Sequence, residues 1–321
     1  MKILFYAGKG GVGKSTMAAA TARQLSRHHR VLAVSLDPAH NLGDIFHASL
    51  KDGEKRLTEN LHLREVDLKK LSRDYLEREV TVLTDTYKYL QVLNLDRYFS
   101  ILKYSPGIEE YALLTSIEET IREEKGFEYV IFDTPPTGLT LRFLALPQVT
   151  IAWIDRLTHI RRQILEKRYT IQKVRGVLPE GGKNPEIRLK FDEDEDGVIR
   201  RLKALKQNYE ALTGILQGED CGVVLVFNPD LLSLRESVRL TEGLKELKLP
   251  LRLLIDNKVT EENREMASQV EEEFKKIAGE IPMQRVALSE ALYCGAEKNL
   301  FDIREDLLVH LQWGVKKDVR A

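Results

Sequence analysis

Short apolar runs alternate with longer amphipathic segments along most of the chain. The clearest apolar runs lie at 3–7, 30–36, 127–133, 222–227 and 251–256. Runs of this length predict strands that are buried in a parallel sheet, and the weak alternation at 61–67 predicts a further strand. Segments with a helical pattern lie between them, at 17–25, 68–95, 108–124, 151–169 and 199–216. This order of elements is typical of an α/β fold.

A glycine-rich loop separates the first predicted strand from the first predicted helix. Its residues are Gly8, Lys9, Gly10, Gly11, Val12, Gly13, Lys14, Ser15 and Thr16. They contain the G-x-x-x-x-G-K-[ST] pattern, which cradles phosphates when it joins a strand to a helix. Backbone N–H groups and the helix N-terminus then face one anion. We expect Lys14 at the β- and γ-phosphates, Ser15 on Mg²⁺ and Thr16 at the α-phosphate.

Three aspartates follow predicted strands. Asp37 and Asp44 come after the strand at 30–36, and Asp133 ends the strand at 127–133. Ligands of open α/β sheets bind beyond the carboxyl ends of the strands, so all three are expected on the nucleotide side. Asp37 and Asp133 are placed to hold Mg²⁺ through water, and Asp44 is a candidate to orient the attacking water. By themselves, the two aspartates after 30–36 fit turn chemistry better than catalysis.

Composition and charge exclude several classes of protein. The 321 residues are 43% hydrophobic and 31% charged with a net charge of −1, which indicates a soluble protein without a nucleic-acid footprint. Cys221 and Cys294 lie far apart and predict neither a disulfide framework nor a metal clip. No apolar run has the length of a membrane span, and the first strand leaves no room for a signal peptide. We therefore expect a cytoplasmic protein.

Three segments together resemble the ArsA-type ATPases, a family of arsenite-pump-driving and tail-anchored-protein-targeting enzymes. GKGGVGKS at 8–15 has the extra lysine of a deviant Walker A loop. DPAHNLGDIF at 37–46 resembles the family's switch I, DPAHNLSDAF, and DTPPTGLTLRFLALP at 133–147 resembles its switch II, DTAPTGHTLRFLQLP. The resemblance extends from residue 2 to about residue 300. It implies a doubly wound, mostly parallel sheet.

The resemblance also implies how the chain is organised. A single P-loop ATPase domain would occupy residues 1–321, with a helical subdomain built from insertions at about 68–125 and 149–217. Helices that only cover the sheet remain the alternative for 68–125. The amphipathic stretch at 303–315 fits a closing core helix better than a membrane anchor, because its charges are mixed.

The family's mechanism is a homodimeric switch driven by ATP and Mg²⁺. By resemblance, Lys9 would cross the dimer interface to the partner's nucleotide, and Asp44 would be the catalytic carboxylate. Gly138 would offer an N–H group that senses the γ-phosphate. Asn257 would recognise the adenine edge, although an Asn there could also cap the next helix.

The switch segments depart from the family pattern at several positions. Gly43 replaces a serine next to Asp44, Pro135 replaces an alanine of switch II, and Leu139 replaces a histidine of switch II. The change at Leu139 removes a polar group, and it leaves open how switch II signals to the helical subdomain.

Three functions remain open at this stage: a targeting ATPase, an arsenite-pump motor, and a regulatory switch that docks one soluble partner. The segment 149–216 has no methionine and many charges, which disfavours a hydrophobic client groove. No CxxC motif is present, so no zinc is expected, and the two cysteines do not cluster as metalloid ligands. DEDEDG at 192–197 imitates a calcium loop, but Lys203 stands where a glutamate is required, which favours a solvated loop. The client or membrane partner stays unidentified.

Overall fold

The computed structural model describes residues 1–37, 41–50, 53–86, 105–175 and 196–288. The strands are β1 (Lys2–Ala7), β2 (Val31–Ser35), β3 (Glu54–Arg56), β4 (Leu61–Glu65), β5 (Tyr129–Asp133), β6 (Cys221–Phe227), β7 (Leu251–Val259) and β8 (Met283–Ala287). The helices are α1 (Lys14–Leu25), α2 (Asn41–Ile45), α3 (Leu68–Thr86), α4 (Ile108–Glu123), α5 (Thr137–Arg175), α6 (Gly197–Leu216), α7 (Leu231–Glu246) and α8 (Arg264–Ala278). The predictions for Cys294, for 303–315 and for the first four residues of 192–197 lie outside the described residues.

The strands form one sheet in the order β3-β4-β2-β5-β1-β6-β7-β8. Every neighbouring pair is parallel except β3 and β4. β1 lies inside the sheet, where Leu4 pairs with Ile131 on one side and Gly222 on the other. Strands covered on both faces need continuous apolar runs, which explains the sequence pattern. The predicted doubly wound, mostly parallel α/β sheet is confirmed.

The helix after the glycine-rich loop packs tightly on the sheet because its buried face is made of small residues. Ala18, Ala19 and Ala22 are buried in one core cluster with Leu4 and Val31. A polar contact lies within the same layer, where the Tyr6 hydroxyl and the Thr21 hydroxyl are 2.5 Å apart. β1 and α1, which flank the loop, are therefore joined by both packing and a buried hydrogen bond.

The chain divides into two compact units, residues 1–144 with 216–321 and residues 145–215. In the first unit, α3 and α4 pack on each other, with the Tyr75 and Tyr111 rings stacked at 6.0 Å. In the second unit, the Arg161 guanidinium pairs with the Asp196 carboxylate at 2.8 Å. Asp196 also accepts the Ile199 N–H, so the last aspartate of the calcium-like pattern caps α6. The predicted subdomain boundaries stay a prediction.

Helix α5 is longer than the sequence pattern predicts. It begins in switch II and continues through Pro147 to Arg175, whereas a helix was expected only over 151–169. Proline removes one backbone hydrogen bond of the helix without ending it here. Within the described residues, one helical stretch, Thr137–Ile171, is both long enough and apolar enough to cross a membrane, judged by length and composition alone. Only 28% of the most apolar 18 residues of this stretch are buried.

Candidate nucleotide-binding site

The predicted site residues lie at one edge of the sheet. The glycine-rich loop follows β1, Asp37 follows β2, Asp133 ends β5, and Asn257 lies near the end of β7. Parallel strands present their carboxyl ends at the same edge, so residues distant in sequence are brought together there.

The glycine-rich loop is folded tightly at the start of α1. Gly13 is the N-cap residue with φ 98°, in the left-handed region that favours glycine. A Cβ atom on Gly13 would lie 2.4 Å from the Asn257 side-chain nitrogen, so a larger residue would displace that amide. The first N–H groups of α1 have no partner within the helix and remain available to a phosphate.

Lys14 is buried inside this loop, with 5% of its surface exposed. Its Nζ donates to the Lys9 carbonyl at 3.2 Å. Burial lowers the pKa of Lys14, while the charges of Asp133 and Asp37 act in the opposite direction. The ammonium group is therefore held between a low-dielectric interior and two carboxylates.

Asp133 is 1% exposed, and burial raises its pKa to about 7. The Ser15 hydroxyl and Lys14 lower this pKa, and the charge of Asp37 raises it. No donor among the described residues meets hydrogen-bond geometry with either Asp133 carboxylate oxygen. An unsatisfied buried carboxylate beside a hydroxyl and a second carboxylate fits a hard cation such as Mg²⁺.

The donor set is small for a metal held by protein alone. Within the described ranges, no group of three or more His, Cys, Asp or Glu side chains is arranged to hold a metal ion. A Mg²⁺ ion held by Ser15, Asp37 and Asp133 would therefore need waters and phosphate oxygens to complete its coordination, as is usual for this ion.

Switch II is anchored at its start by a chain of hydroxyl contacts. The Thr134 hydroxyl donates to the Tyr6 carbonyl at 2.8 Å, and the Thr140 hydroxyl donates to the Pro135 carbonyl at 2.7 Å. Gly138 lies in the first turn of α5, and a Cβ atom there would meet no atom within 4 Å. Internal packing thus does not require glycine at this position, and close approach of a ligand stays the predicted reason.

Asp44 lies in the short helix α2 and is exposed to solvent. It lines a cavity of about 1390 Å³ together with Gly43, Glu65 and Asp74. Asp37, by contrast, is the carboxylate whose charge acts on both Lys14 and Asp133. The structure thus groups Asp37 with the loop and places Asp44 on the cavity wall.

Two residues at the end of β7 hold the glycine-rich loop. The Asn257 side-chain amide donates to the Val12 carbonyl at 2.7 Å, and Lys258 Nζ donates to the Gly11 carbonyl at 2.7 Å. Lys258 has φ 60°, which is uncommon for a residue other than glycine. The alternative that Asn257 caps the next helix is wrong, because α8 has Asn263 as its N-cap residue. Recognition of adenine by Asn257 stays a prediction.

The structure adds residues that the sequence pattern missed. Lys258, Thr134 and Thr140 each contact a backbone carbonyl of the site or its support. Lys258 directly follows Asn257, and that adjacency was the only sequence signal for it. The two threonines lie inside the switch II segment but make their contacts through the fold.

A buried carboxylate also lies beside the site on β7. Asp256 is fully buried, and neither carboxylate oxygen has a hydrogen-bond partner among the described residues. Burial and the charge of Glu271 raise the pKa of Asp256 to about 7, while Arg285 lowers it. Arg285 itself pairs with Glu271 at 2.5 Å, which leaves Asp256 poorly compensated.

Asp256→Asn is expected to stabilise the fold at about pH 8 by on the order of 4 kcal/mol. The pKa of Asp256 rises from 3.8 to about 7 on folding, so between these values the native state binds more protons than the unfolded state. The free energy of unfolding therefore falls as the pH rises through this window. Urea unfolding at about pH 5 and pH 8 measures the slope, which the variant should flatten. Asp220→Asn, at an exposed aspartate, is the matched control, and a wild-type slope in Asp256→Asn would contradict the assignment.

The site defines a class of protein. A glycine-rich loop follows an inner strand, its lysine is buried, a second lysine precedes it, and carboxylates end the neighbouring strands. This is the site of a P-loop nucleoside triphosphatase with a deviant Walker A loop.

Comparison with known proteins identifies the family within this class. The profile of the ArsA ATPases, described as anion-transporting ATPases, matches residues 1–284. The chain belongs to this family and is an ATP hydrolase, as the sequence motifs predicted.

Several curated proteins resemble the chain over most of its length. The putative arsenical pump-driving ATPase 2 of Aquifex aeolicus (strain VF5) is 29% identical over 300 residues, covering 93% of this chain and 91% of the relative. An ATPase get3 of Aspergillus terreus is 28% identical over 330 residues, covering 97% and 91%. An ATPase get3 of Pyrenophora tritici-repentis is 29% identical over 268 residues, covering 81% and 74%.

Proposed function

We propose that this ATPase is a targeting factor that binds an apolar helical segment of a membrane-protein client. In this proposal it acts as a Mg²⁺-dependent homodimeric switch in the cytosol. The observation that carries the proposal is an exposed row of apolar side chains on helix α5.

This apolar row consists of Val149, Trp153, Leu157, Ile160, Ile164 and Ile171, which are between 39% and 63% exposed. Intervals of three, four and seven residues place all six on one face of the helix. The neighbouring residues Ile154 and Leu165 are only 3% exposed. The helix thus has a second apolar face beyond the one that is already packed.

The row argues against an expectation drawn from composition. Many charges and no methionine in 149–216 suggested a poor surface for an apolar client. Several charged residues of this helix, such as Asp155 and Glu166, belong to other faces, whereas Arg156 and Lys167 border the row, so composition alone did not show the apolar pattern. Large exposed apolar surfaces mark interaction sites, and a central tryptophan is a common energetic anchor.

The length of the row supports a membrane helix as the occupant. From Val149 to Ile171 the row spans about 33 Å at roughly 1.5 Å per residue. The hydrocarbon core of a bilayer is about 30 Å thick, so an apolar helix that spans it has a matching length. A soluble regulatory partner would not require an apolar surface of this length.

Metalloid chemistry has less support in the described residues. The Cys221 thiol is buried in β6, and burial raises its pKa to about 12. A protonated, enclosed thiol is a poor ligand for a soft metalloid. This argues against a role of Cys221 in an arsenite-pump motor.

The nucleotide cycle that drives the proposal uses the residues of the candidate site. Lys14 and the N–H groups of the loop bind the phosphates. Ser15 would hold Mg²⁺ directly, and Asp37 and Asp133 would hold it through water. When bound, Mg²⁺ neutralises charge on the phosphates. Asp44 orients the attacking water, and Lys9 of each subunit stabilises the charge on the nucleotide of the other.

The double substitution Leu157→Asp with Ile160→Asp tests the apolar row. The probe is a soluble domain that ends in a single apolar helix of about 20 residues. We expect at least a tenfold loss of the complex recovered in ATP, because two carboxylates must then be desolvated at the contact. ATP hydrolysis without client should keep its wild-type rate.

Ile277→Asp is the matched control, because Ile277 is 39% exposed on α8, outside the row. Equal client recovery by the row variant and the control would overturn the proposal. So would arsenite-stimulated hydrolysis without client binding, which would assign the chain to a pump. A row variant that loses only self-association would instead assign the row to a second copy of this chain.

A further inference from the structure

The residue before Asp44 is held at both its amide and its carbonyl. The Gly43 N–H donates to Glu65 Oε1 at 2.7 Å. The Gly43 carbonyl accepts the Ala48 N–H at 2.9 Å. Gly43 itself is buried, whereas the Asp44 side chain is exposed. The backbone that carries Asp44 is therefore fixed while its carboxylate remains accessible.

Helix α2 depends on such contacts because it has only five residues. Short helices are marginal by themselves, and their first N–H groups lack partners within the helix. The C-terminal end of α2 is closed by His47 with φ 48°, whose N–H donates to the Asp44 carbonyl at 3.2 Å. With the Ala48 bond, this forms a Schellman motif. At the N-terminal end of α2, Glu65 on strand β4 accepts the Gly43 N–H.

Glu65 is well placed to act as an anchor. It ends β4, and it pairs in register with Ser35, two residues before Asp37. The Val66 N–H continues the pairing to the Ser35 carbonyl at 3.1 Å. Glu65 therefore ties α2 to the rigid sheet at the strand from which the switch I segment leaves.

The contact also accounts for glycine at position 43. A Cβ atom there would lie 2.8 Å from the Ala48 carbonyl oxygen and 3.1 Å from Glu65 Oε1. This oxygen belongs to the backbone of Ala48, whose N–H closes the Schellman motif, so it has less freedom to move than the end of a side chain. The replacement of the family's serine by Gly43 thus fits the close approach of the Glu65 carboxylate.

We propose that Glu65 is a positioning residue for hydrolysis, which holds α2 on the sheet edge so that Asp44 can orient the attacking water. This inference rests on the proposed role of Asp44. Glu65 contacts neither nucleotide nor water in this role and acts through the Gly43 amide. Small displacements of a catalytic group lower the rate strongly while leaving substrate binding intact.

Glu65→Ala is expected to lower kcat by about 10- to 100-fold. The affinity for ATP should change less than about twofold, because the phosphate-binding loop is untouched. Glu65→Gln should recover part of the rate, since the amide oxygen can still accept from Gly43. Asp74→Ala, which removes a carboxylate from the same cavity, is the matched control and should hydrolyse ATP at the wild-type rate.

Hydrogen exchange provides a readout that does not depend on catalysis. In the nucleotide-free protein, peptides covering residues 41–48 should exchange faster in Glu65→Ala than in the wild type or in Asp74→Ala. Unchanged exchange, or faster exchange with an unchanged kcat, would overturn the positioning role. If Glu65→Ala does not fold, a wild-type kcat in Gly43→Ala, whose Cβ atom would press on both Glu65 Oε1 and the Ala48 carbonyl oxygen, would overturn it equally.

The failure of the proposed function has a different signature. Wild-type turnover by Asp44→Asn would show that Asp44 is not catalytic. The Glu65–Gly43 contact would then have no catalytic group to position. Faster exchange in Glu65→Ala would in that case still report the contact, so the two failures are distinguishable.

Discussion

Lys14→Ala is expected to reduce the affinity for ATP by at least about 100-fold, which corresponds to roughly 3 kcal/mol. Lys14 is the buried cation of the glycine-rich loop, and it is only 5% exposed. A charge in a low-dielectric site contributes more to phosphate binding than the same charge in water. Isothermal titration with ATP and Mg²⁺ measures the effect.

The removal of Lys14 also has an electrostatic consequence inside the site. Its charge lowers the pKa of Asp133, so the pKa of Asp133 should rise further in the variant. Lys55→Ala, at an exposed lysine on β3, serves as the control and should bind ATP normally. Wild-type affinity in Lys14→Ala would reject the assignment of this loop as the phosphate cradle.

Asp44→Asn is expected to retain ATP binding and to lower turnover by at least about 100-fold. General-base and water-orienting groups contribute roughly 10²- to 10⁴-fold. Asparagine keeps the size of the side chain but loses the charge that would take up a proton. Phosphate release under single-turnover conditions separates this step from binding and product release.

A matched comparison is available in the same cavity. Asp74→Asn makes the same chemical change at an exposed carboxylate and should leave hydrolysis unaffected. Equal rates for Asp44→Asn and Asp74→Asn would show that Asp44 only serves the solubility or turn geometry of its segment. A loss of ATP binding in Asp44→Asn would point to a phosphate or metal role instead.

The sheet was predictable because its signals are local. Each inner strand is a continuous apolar run, and the spacing of glycines and lysine in the glycine-rich loop identifies it as a phosphate-binding motif. The strand limits differ from the expected ones by a few residues, as for β5, which begins at Tyr129 rather than at residue 127. Fraying at strand ends is set by neighbours in the sheet, which a single sequence does not display.

The features that the sequence did not predict depend on contacts between residues that are distant in sequence. Glu65 and Gly43 are 22 positions apart, and Asn257 meets Val12 across 245. Neither pair has a spacing that signals contact. Proline inside a helix usually ends or kinks it, so the continuation of α5 through Pro147 could not be expected from the local sequence. The apolar row, in turn, is visible only once the helix is known to be continuous and exposed.

The bracing of the glycine-rich loop by Asn257 and Lys258 has a consequence for the thermodynamics of binding. The carbonyl oxygens of Gly11 and Val12 are already occupied by side-chain donors from β7. With these oxygens held toward β7, the loop keeps one shape before any ligand arrives. The conformational entropy of the loop is then lost during folding, and the nucleotide meets a preorganised cradle. Weakening this brace should therefore slow ATP association and increase the entropic cost of binding, even though neither side chain needs to touch a phosphate.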